Sequence, residues 1–495
     1  MRRTLPVLGA VLAAVMLVVA GPALSVRPYE PRALDFEVTP PALGTASAHG
    51  AYTSPPIDAP KRFNLVGLRW SGGAGEPLLS MRFRSDGGVW SHWRRVGAGQ
   101  DHAPDPGTGE AMPRGASDPV WVGEADQVQY RLSRRVSGVR LHFVNTLGTA
   151  TAADRARTAL RRAANGALRT VAAVVGVHPA EAQDPAPQIN PRASWDNAGQ
   201  CVPRSGPAYR EVKVAFVHHT VNANDYPPEQ VPAMMLAICR YHRNSNGWND
   251  IGYNFVVDRQ GRIWEARAGG VDQPVVGAHT EGMNTQSTGI ANLGTFTDVG
   301  VTPEAMDAMA RLIRWKLPLH GQPTSGQTTV VSNGGGGSKY GPGQEAVLDR
   351  VSGHRDANNT SCPGDALYAQ LPELRERVAG AAVPERPATT VTEQRPPRRL
   401  PVGTLVKVRG TIGPPKESLS ILVERKTGDT WQRWYGRTIP AKADGSWIKK
   451  VRFRYAGLYR VSALFGGDGS NAPARSKAYP VRVPRPPKTY EPTSP

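Results

Sequence analysis

Cysteine is nearly absent from this chain: 495 residues include three, Cys201, Cys239 and Cys362. The region from about 401 to 485 has none, so strands there must be held by their apolar core alone. Beyond the first twenty residues no run is apolar enough to cross a membrane. Interleaved aromatic and basic residues, of the kind an RNA-binding sheet displays, are missing as well. The formal charge of +19, from 60 basic and 41 acidic side chains, is therefore scattered. It points to anionic cell-wall polymers or membrane surfaces rather than to nucleic acid.

The N-terminus carries what the rest lacks. Met1, Arg2 and Arg3 precede an apolar run from Leu5 to Ala20, followed by Gly21, Pro22 and small residues. This is the order of a secretory signal, and the run is short for a membrane span. Residues 1–25 are expected to be a signal peptide cleaved between Ala20 and Ser25, with membrane attachment only if it stays uncleaved. A secreted or cell-wall protein follows, in a compartment where a spare cysteine pair would oxidise. With 53 Gly and 45 Pro, the chain is too long for one core and too rich in turn formers to be mostly helix.

Periodicity divides the remainder. Residues 26–60 hold many prolines and no periodic apolar pattern, and read as a disordered lead-in. From 61 to 148, alternations such as Leu79, Met81, Phe83 and Leu141, Phe143 predict an all-β sandwich of unknown function. Its tryptophans, Trp70, Trp90, Trp93 and Trp121, are core candidates first and a sugar-binding face second. Residues 149–188 form an Ala/Arg-rich helical linker ending in a polar, Pro-containing boundary. Between 189 and 377 both periods occur. "EVKVAFVHHT" reads as a strand, and "PPEQVPAMMLAICRYHRNS" as a helix with Pro232 in its first turn. "TPEAMDAMARLIRWKL" reads as a helix capped by Thr302 with Pro303 at its first position. Residues 378–400 are a Pro-rich linker, 401–485 an immunoglobulin-like sandwich, and 486–495 a tail. The fold class is multidomain: a central α/β domain, a mixed sheet with helices, flanked by two all-β sandwich domains.

The middle domain holds the chemistry. In "GHRDANNTSCPG", His354 and Cys362 share a stretch rich in turn formers, and a strand far upstream ends in His218 and His219. Successive strand side chains point to opposite faces, so only one of that pair can point with Val214 and Phe216. One strand histidine, one loop histidine and one loop cysteine are three ligands of the types Zn2+ takes, leaving a fourth position for water. The spacing alone leaves other readings open: Cys362 as a disulfide partner, His354 as an ordinary loop residue, or the two as a Cys-His nucleophile pair.

"PRASW", "FVHHT", "GWNDIGYNFVVDRQGRIWEAR", "VGAHTEGMN", "STGIANLGTF" and "GHRDANNTSCPG" occur in this order. In these six blocks residues 189–377 resemble peptidoglycan recognition proteins and the related type-2 N-acetylmuramoyl-L-alanine amidases. The resemblance implies a zinc hydrolase that cuts the amide between N-acetylmuramic acid and L-alanine of peptidoglycan, with muramyl peptides as its partner. It implies His218, His354 and Cys362 as metal ligands, with His219 facing away. It further implies Tyr253 as a catalytic residue and Thr360 as a weaker helper at the same oxygen. Gly247, Trp248 and Arg267 match positions linked to diaminopimelate-type stems, whose extra carboxylate a guanidinium can clamp, and His279 is expected to line the groove, with a structural role as its equal alternative. With Cys362 given to zinc, pairing of Cys201 with Cys239 is the economical reading in an exported chain. Closing that loop is worth about 4 kcal/mol. The alternative from another class is a peptidoglycan-binding protein that hydrolyses slowly or not at all.

Overall fold

The computed structural model describes residues 32–43, 51–72, 77–85, 88–97, 102–111, 115–148, 186–379, 387–427, 430–465, 470–472 and 474–484. The signal segment 1–25, nearly all of the expected helical linker and the tail lie outside the described residues. The chain divides into one unit of residues 1–34 with 145–185 and a second of 35–144 with 186–495. The second unit contains the β-domains and the central domain.

The N-terminal domain is built from β1 (Leu34–Val38), β2 (Tyr52–Thr53), β3 (Ile57–Arg69), β4 (Leu79–Arg84), β5 (Arg94–Val96), β6 (Val120–Leu132) and β7 (Arg140–Asn145). Period-two patterning does what the pleat requires: Leu79, Met81 and Phe83 of β4 are buried and the residues between them are partly exposed. The strands form one seven-stranded sheet, not the two sheets of a sandwich. The long strands β3 and β6 pair with register shifts at Asp58/Phe63 and Phe63/Leu65. Such irregularities bend strands, and this sheet curls around a core that includes Phe63, Leu68, Tyr130 and Phe143. The expected disordered lead-in is also corrected, because residues 34–38 and 52–53 are strands. Prolines flank these strands without interrupting them, and Phe36 stacks on Phe143 at 5.0 Å. Of the four tryptophans, Trp70 and Trp121 are buried. Trp90 and Trp93 lie outside the core, with the Arg82 guanidinium 4.9 and 4.8 Å from their ring centres.

The central domain follows the order β8 (Ile189–Asn190), β9 (Val214–His219), α1 (Val231–Arg240), β10 (Phe255–Val257), β11 (Ile263–Glu265), β12 (Ser287–Asn292), α2 (Pro303–Leu319), β13 (Gln327–Val331), β14 (Glu345–Asp349), β15 (Val351–Gly353), α3 (His354–Ala357), α4 (Asp365–Ala369) and α5 (Leu371–Val378). Its six-stranded sheet runs β15-β9-β12-β10-β11-β8. Pairing is parallel except between β10 and β11, so the sheet is mixed as expected. Thr302 accepts a hydrogen bond from the Ala305 amide and Pro303 opens α2, the predicted cap. The apolar stripe of α2, including Met309 and Ile313, packs with Ala215 and Val217 of β9. Val214 and Phe216 point the other way, toward Met283, Val330 and Leu348. Burial on both faces explains why β9 reads as a continuous apolar run.

The C-terminal domain packs a three-stranded sheet of β16 (Thr390–Glu393), β17 (Leu405–Gly413) and β20 (Ser446–Arg452) against five further strands. These are β18 (Ser418–Thr427), β19 (Thr430–Pro440), β21 (Gly457–Phe465), β22 (Ala474–Arg475) and β23 (Tyr479–Val483). The core between them contains Ile421, Trp447, Phe453 and Val461. Part of the expected Pro-rich linker belongs to this domain, since β16 pairs antiparallel with β17. Four residues between prolines suffice for a short edge strand when Val391 has a core to enter.

Glu393 of that strand is buried, and the Ser476 hydroxyl donates to its carboxylate at 3.3 Å. Burial pushes its carboxyl up to about 7. The folded state then binds more protons than the unfolded chain between about pH 4.5 and 7, so stability from this group is present in acid and is lost as pH rises through 7. Glu393→Gln is expected to stabilise the C-terminal domain by on the order of 1 kcal/mol at pH 8 and to change little at pH 5. Urea unfolding at both pH values checks this.

Candidate metal centre

β9 and β15 are parallel neighbours, and both deliver a histidine at their C-terminal ends, the edge where open α/β sheets bind ligands. His218 is the last but one residue of β9 and shares the face of Val214 and Phe216. His219 faces the other way, and its Nδ1 accepts from the Phe296 amide at 3.3 Å. His354 opens the one-turn helix α3 immediately after β15, where a nonhelical loop was expected. The Gly353 amide donates to Asp356 at 2.8 Å and fixes this start.

Cys362 is returned to the strand ends by the turn after α3. The Arg355 amide donates to the Cys362 carbonyl at 3.0 Å, and the Cys362 amide donates to Thr360 Oγ1 at 3.1 Å. Its sulfur lies 3.8 Å from His218 Nδ1 and receives the His219 amide at 3.4 Å. An N–H aimed at sulfur favours the thiolate that metal binding requires.

The other nitrogen of His218, Nε2, lies 3.1 Å from His279 Nδ1, which in turn lies 2.9 Å from Thr280 Oγ1. His279 is fully buried behind His218, the structural position expected as its alternative, where it holds the ring as outer partners of metal-bound histidines do. Burial first, and the neighbouring imidazoles second, push His218 and His279 well below the ordinary imidazole range. Neutral His218 is the form that binds metal. Tyr253 stands beside this group, its ring 5.6 Å from that of His218. Thr360 lines a cavity of about 1030 Å³ that adjoins Cys362 and is also walled by Arg94, Arg95 and Asn222.

A fourth donor was missed entirely. His102, in the loop between β5 and β6, joins His218, His354 and Cys362. One ligand atom from each lies within 4.8 Å of all the others, and all four residues are buried. The rings of His102 and His354 are 4.4 Å apart. Three imidazoles and a thiolate are a donor set that suits zinc. No spacing rule connects His102 to the other three, because it comes from a different domain. The only signal was a histidine among Gly, Pro and acidic residues in "DHAPDPGTGE".

The residues expected to contact substrate are brought together, but under the same loop. Trp248 is buried against Ala103 and Ala278. A Cβ on Gly247 would stand 3.0 Å from that of Ala111. Arg267 is buried and ion-paired with Glu110, whose other oxygen accepts from the Asn249 amide at 2.9 Å. Cys201 and Cys239 form a disulfide. Beside it Asp250 accepts from Arg192 at 2.9 and 3.0 Å and from the amides of Ile251 and Ala268. With both cysteines consumed by that bond, the group of Cys201, Cys239 and Asp250 is no competing metal site.

A mixed sheet carrying a buried His/Cys donor set at its C-terminal edge defines an α/β domain with a candidate metal site. Within it, residues 208–365 match the N-acetylmuramoyl-L-alanine amidase family, and this domain belongs to the peptidoglycan recognition and type-2 amidase family. Residues 27–165 match the family described as Rv3811 N-terminal galactose-binding domain-like. Among relatives, a human N-acetylmuramoyl-L-alanine amidase is 34% identical over 229 residues, 44% of this chain and 34% of the human protein. Peptidoglycan-recognition protein 1 of Holotrichia diomphalia is 29% identical over 188 residues, 38% of this chain and 81% of that protein. The chain thus spans about a third of the human relative. A solved Drosophila structure, PGRP-LB, is 24% identical and covers 37% of this chain and 92% of its own, with a TM-score of 0.29. No described helix is long and apolar enough to cross a membrane.

Proposed function

We propose that this chain is a secreted, zinc-dependent N-acetylmuramoyl-L-alanine amidase acting on diaminopimelate-type peptidoglycan. The observation that carries the reading is the convergence of His218, His354 and Cys362 at one strand edge, with Tyr253 beside them. When bound, zinc supplies a Lewis acid and an acidified water for amide hydrolysis. Water adds to the lactyl carbonyl carbon, the C–N bond breaks, and the amine of L-alanine leaves with a proton. The Tyr253 hydroxyl orients the water and donates to the carbonyl oxygen as negative charge develops there. Thr360 accepts from the Cys362 amide and so helps keep the sulfur in place, alongside its weaker role at the carbonyl oxygen. Arg267 with Gly247 and Trp248 forms the carboxylate end of the groove. Support for a guanidinium clamp is that Arg267 already holds the Glu110 carboxylate. The disulfide fits export to an oxidising compartment.

A second reading, peptidoglycan recognition without hydrolysis, is favoured by one observation: four protein donors rather than three meet at the centre, as in structural zinc sites. Mass spectrometry of muropeptides incubated with the zinc-loaded chain separates the two. The amidase releases stem peptides beginning with L-alanine, and Tyr253→Phe slows this by about 100-fold or more with zinc content unchanged. Intact muropeptides that co-elute with the protein would instead establish recognition.

A further inference from the structure

Segment 102–111 behaves, residue by residue, as a ligand of the central domain. It enters buried through His102, Ala103 and Asp105, emerges at Pro106 to Gly109, and returns at Glu110. His102 Nδ1 lies 3.2 Å from the Asp118 carboxylate. The carboxylate stands within ion-pair distance of one ring nitrogen, as carboxylates do behind metal-bound histidines.

Asp105 is buried and its carboxylate is saturated by the central domain. Oδ1 accepts from the Gly282 amide at 2.8 Å, the Asn284 amide at 3.2 Å and Asn284 Nδ2 at 2.7 Å, while Oδ2 accepts from Asn333 Nδ2 at 2.6 Å. Glu110 occupies Arg267 and the Asn249 amide. Two carboxylates and one imidazole thus fill two anion-binding positions and the metal cluster at once, an array complementary to an anionic peptide.

The docking that holds this segment is broad. Arg240 makes a two-point pair with Asp35 at 2.8 and 2.9 Å, the Tyr241 hydroxyl donates to the Ser117 carbonyl at 3.0 Å, and the Trp121 amide donates to Asn222 at 2.7 Å. A Cβ on Gly67 of β3 would come within 2.2 Å of the Tyr241 hydroxyl, so β3 can lie this close only as glycine.

We propose that His102 is a fourth metal ligand supplied by the N-terminal domain and that segment 102–111 is an internal peptide ligand of the groove, displaced when an anionic stem peptide binds. The proposal rests on the amidase reading only for the identity of that peptide. A groove closed in about 99% of molecules would weaken apparent substrate affinity about 100-fold. The segment is thereby a specificity filter, because a competitor must bring its own carboxylates to the positions of Asp105 and Glu110.

The test uses the full chain. In the cobalt-loaded protein, His102→Ala is expected to change the visible absorption and to weaken metal retention, read by chelator competition, by at least about tenfold. The double variant Asp105→Ala, Glu110→Ala is expected to leave that absorption in place and to raise affinity for a soluble diaminopimelate muropeptide about tenfold or more in calorimetry. An unchanged spectrum in His102→Ala overturns the ligand assignment, and equal muropeptide affinity in the double variant overturns the internal peptide. Should His102→Ala fail to fold, His102→Gln provides the same spectroscopic readout. If spectrum and affinity shift as expected while no variant releases L-alanine peptides, the internal ligand stands and the amidase reading falls.

Discussion

Cys362→Ser is expected to lose zinc and hydrolysis together while the chain stays folded. Among the described residues, Cys362 is the only cysteine outside the disulfide, and serine conserves its shape while removing a soft anionic donor. A serine hydroxyl does not ionise near neutrality, so one of the centre's four donors becomes a neutral, weak ligand. Zinc retention should fall by more than about 100-fold and release of L-alanine peptides should become undetectable. Metal analysis after dialysis, beside muropeptide mass spectrometry, reads both. Because the Arg355 amide donates to the backbone carbonyl of residue 362 and the Thr360 contact is to its amide, the loop keeps its own hydrogen bonds in the variant. Circular dichroism should therefore be unchanged. Stoichiometric zinc in Cys362→Ser would remove the sulfur from the site.

The second large effect is on stability. Asp250→Ala should destabilise the central domain by about 3–5 kcal/mol, the cost of removing one partner of a buried ion pair. Asp250 accepts four hydrogen bonds, two from Arg192 and two from backbone amides, and it is nearly inaccessible. Its loss strands a guanidinium that also reaches over the Trp195 ring at 4.5 Å. The backbone from Asp250 to Tyr253 and the strand end at Arg267 would lose their common anchor, so muropeptide binding should weaken as well. Chemical denaturation of Asp250→Ala against Asp250→Asn separates the shape from the charge, since asparagine keeps the size and one acceptor oxygen, enough for one of the two amides, which donate to different carboxylate oxygens. Equal midpoints for both variants and the parent chain would show that this pair is not what holds the segment.

Much of the centre was legible because local rules produced it. Alternation along "VAFVHH" divides His218 from His219 in any strand with this burial, and Thr302 with Pro303 starts α2 wherever that helix is placed. Short β segments were harder. Leu34, Phe36 and Val38 alternate with Asp35 and Glu37, but over five residues only, and 390–393 has one apolar position; each is a strand because a neighbour offers it an edge. The burial of His279 was not legible, because a polar residue in a loop motif carries no sign of burial.

The sequence by itself determined the donor types, the strand that presents His218, the turn that returns Cys362, and the family of the central domain. These depend on residue identity and on interactions within a few positions. Only the tertiary structure decided that a loop of another domain brings His102, Asp105 and Glu110 into the same site. That choice depends on the packing of whole domains through contacts such as Arg240 with Asp35 and Tyr241 with Ser117. No local periodicity encodes contacts between residues more than a hundred positions apart.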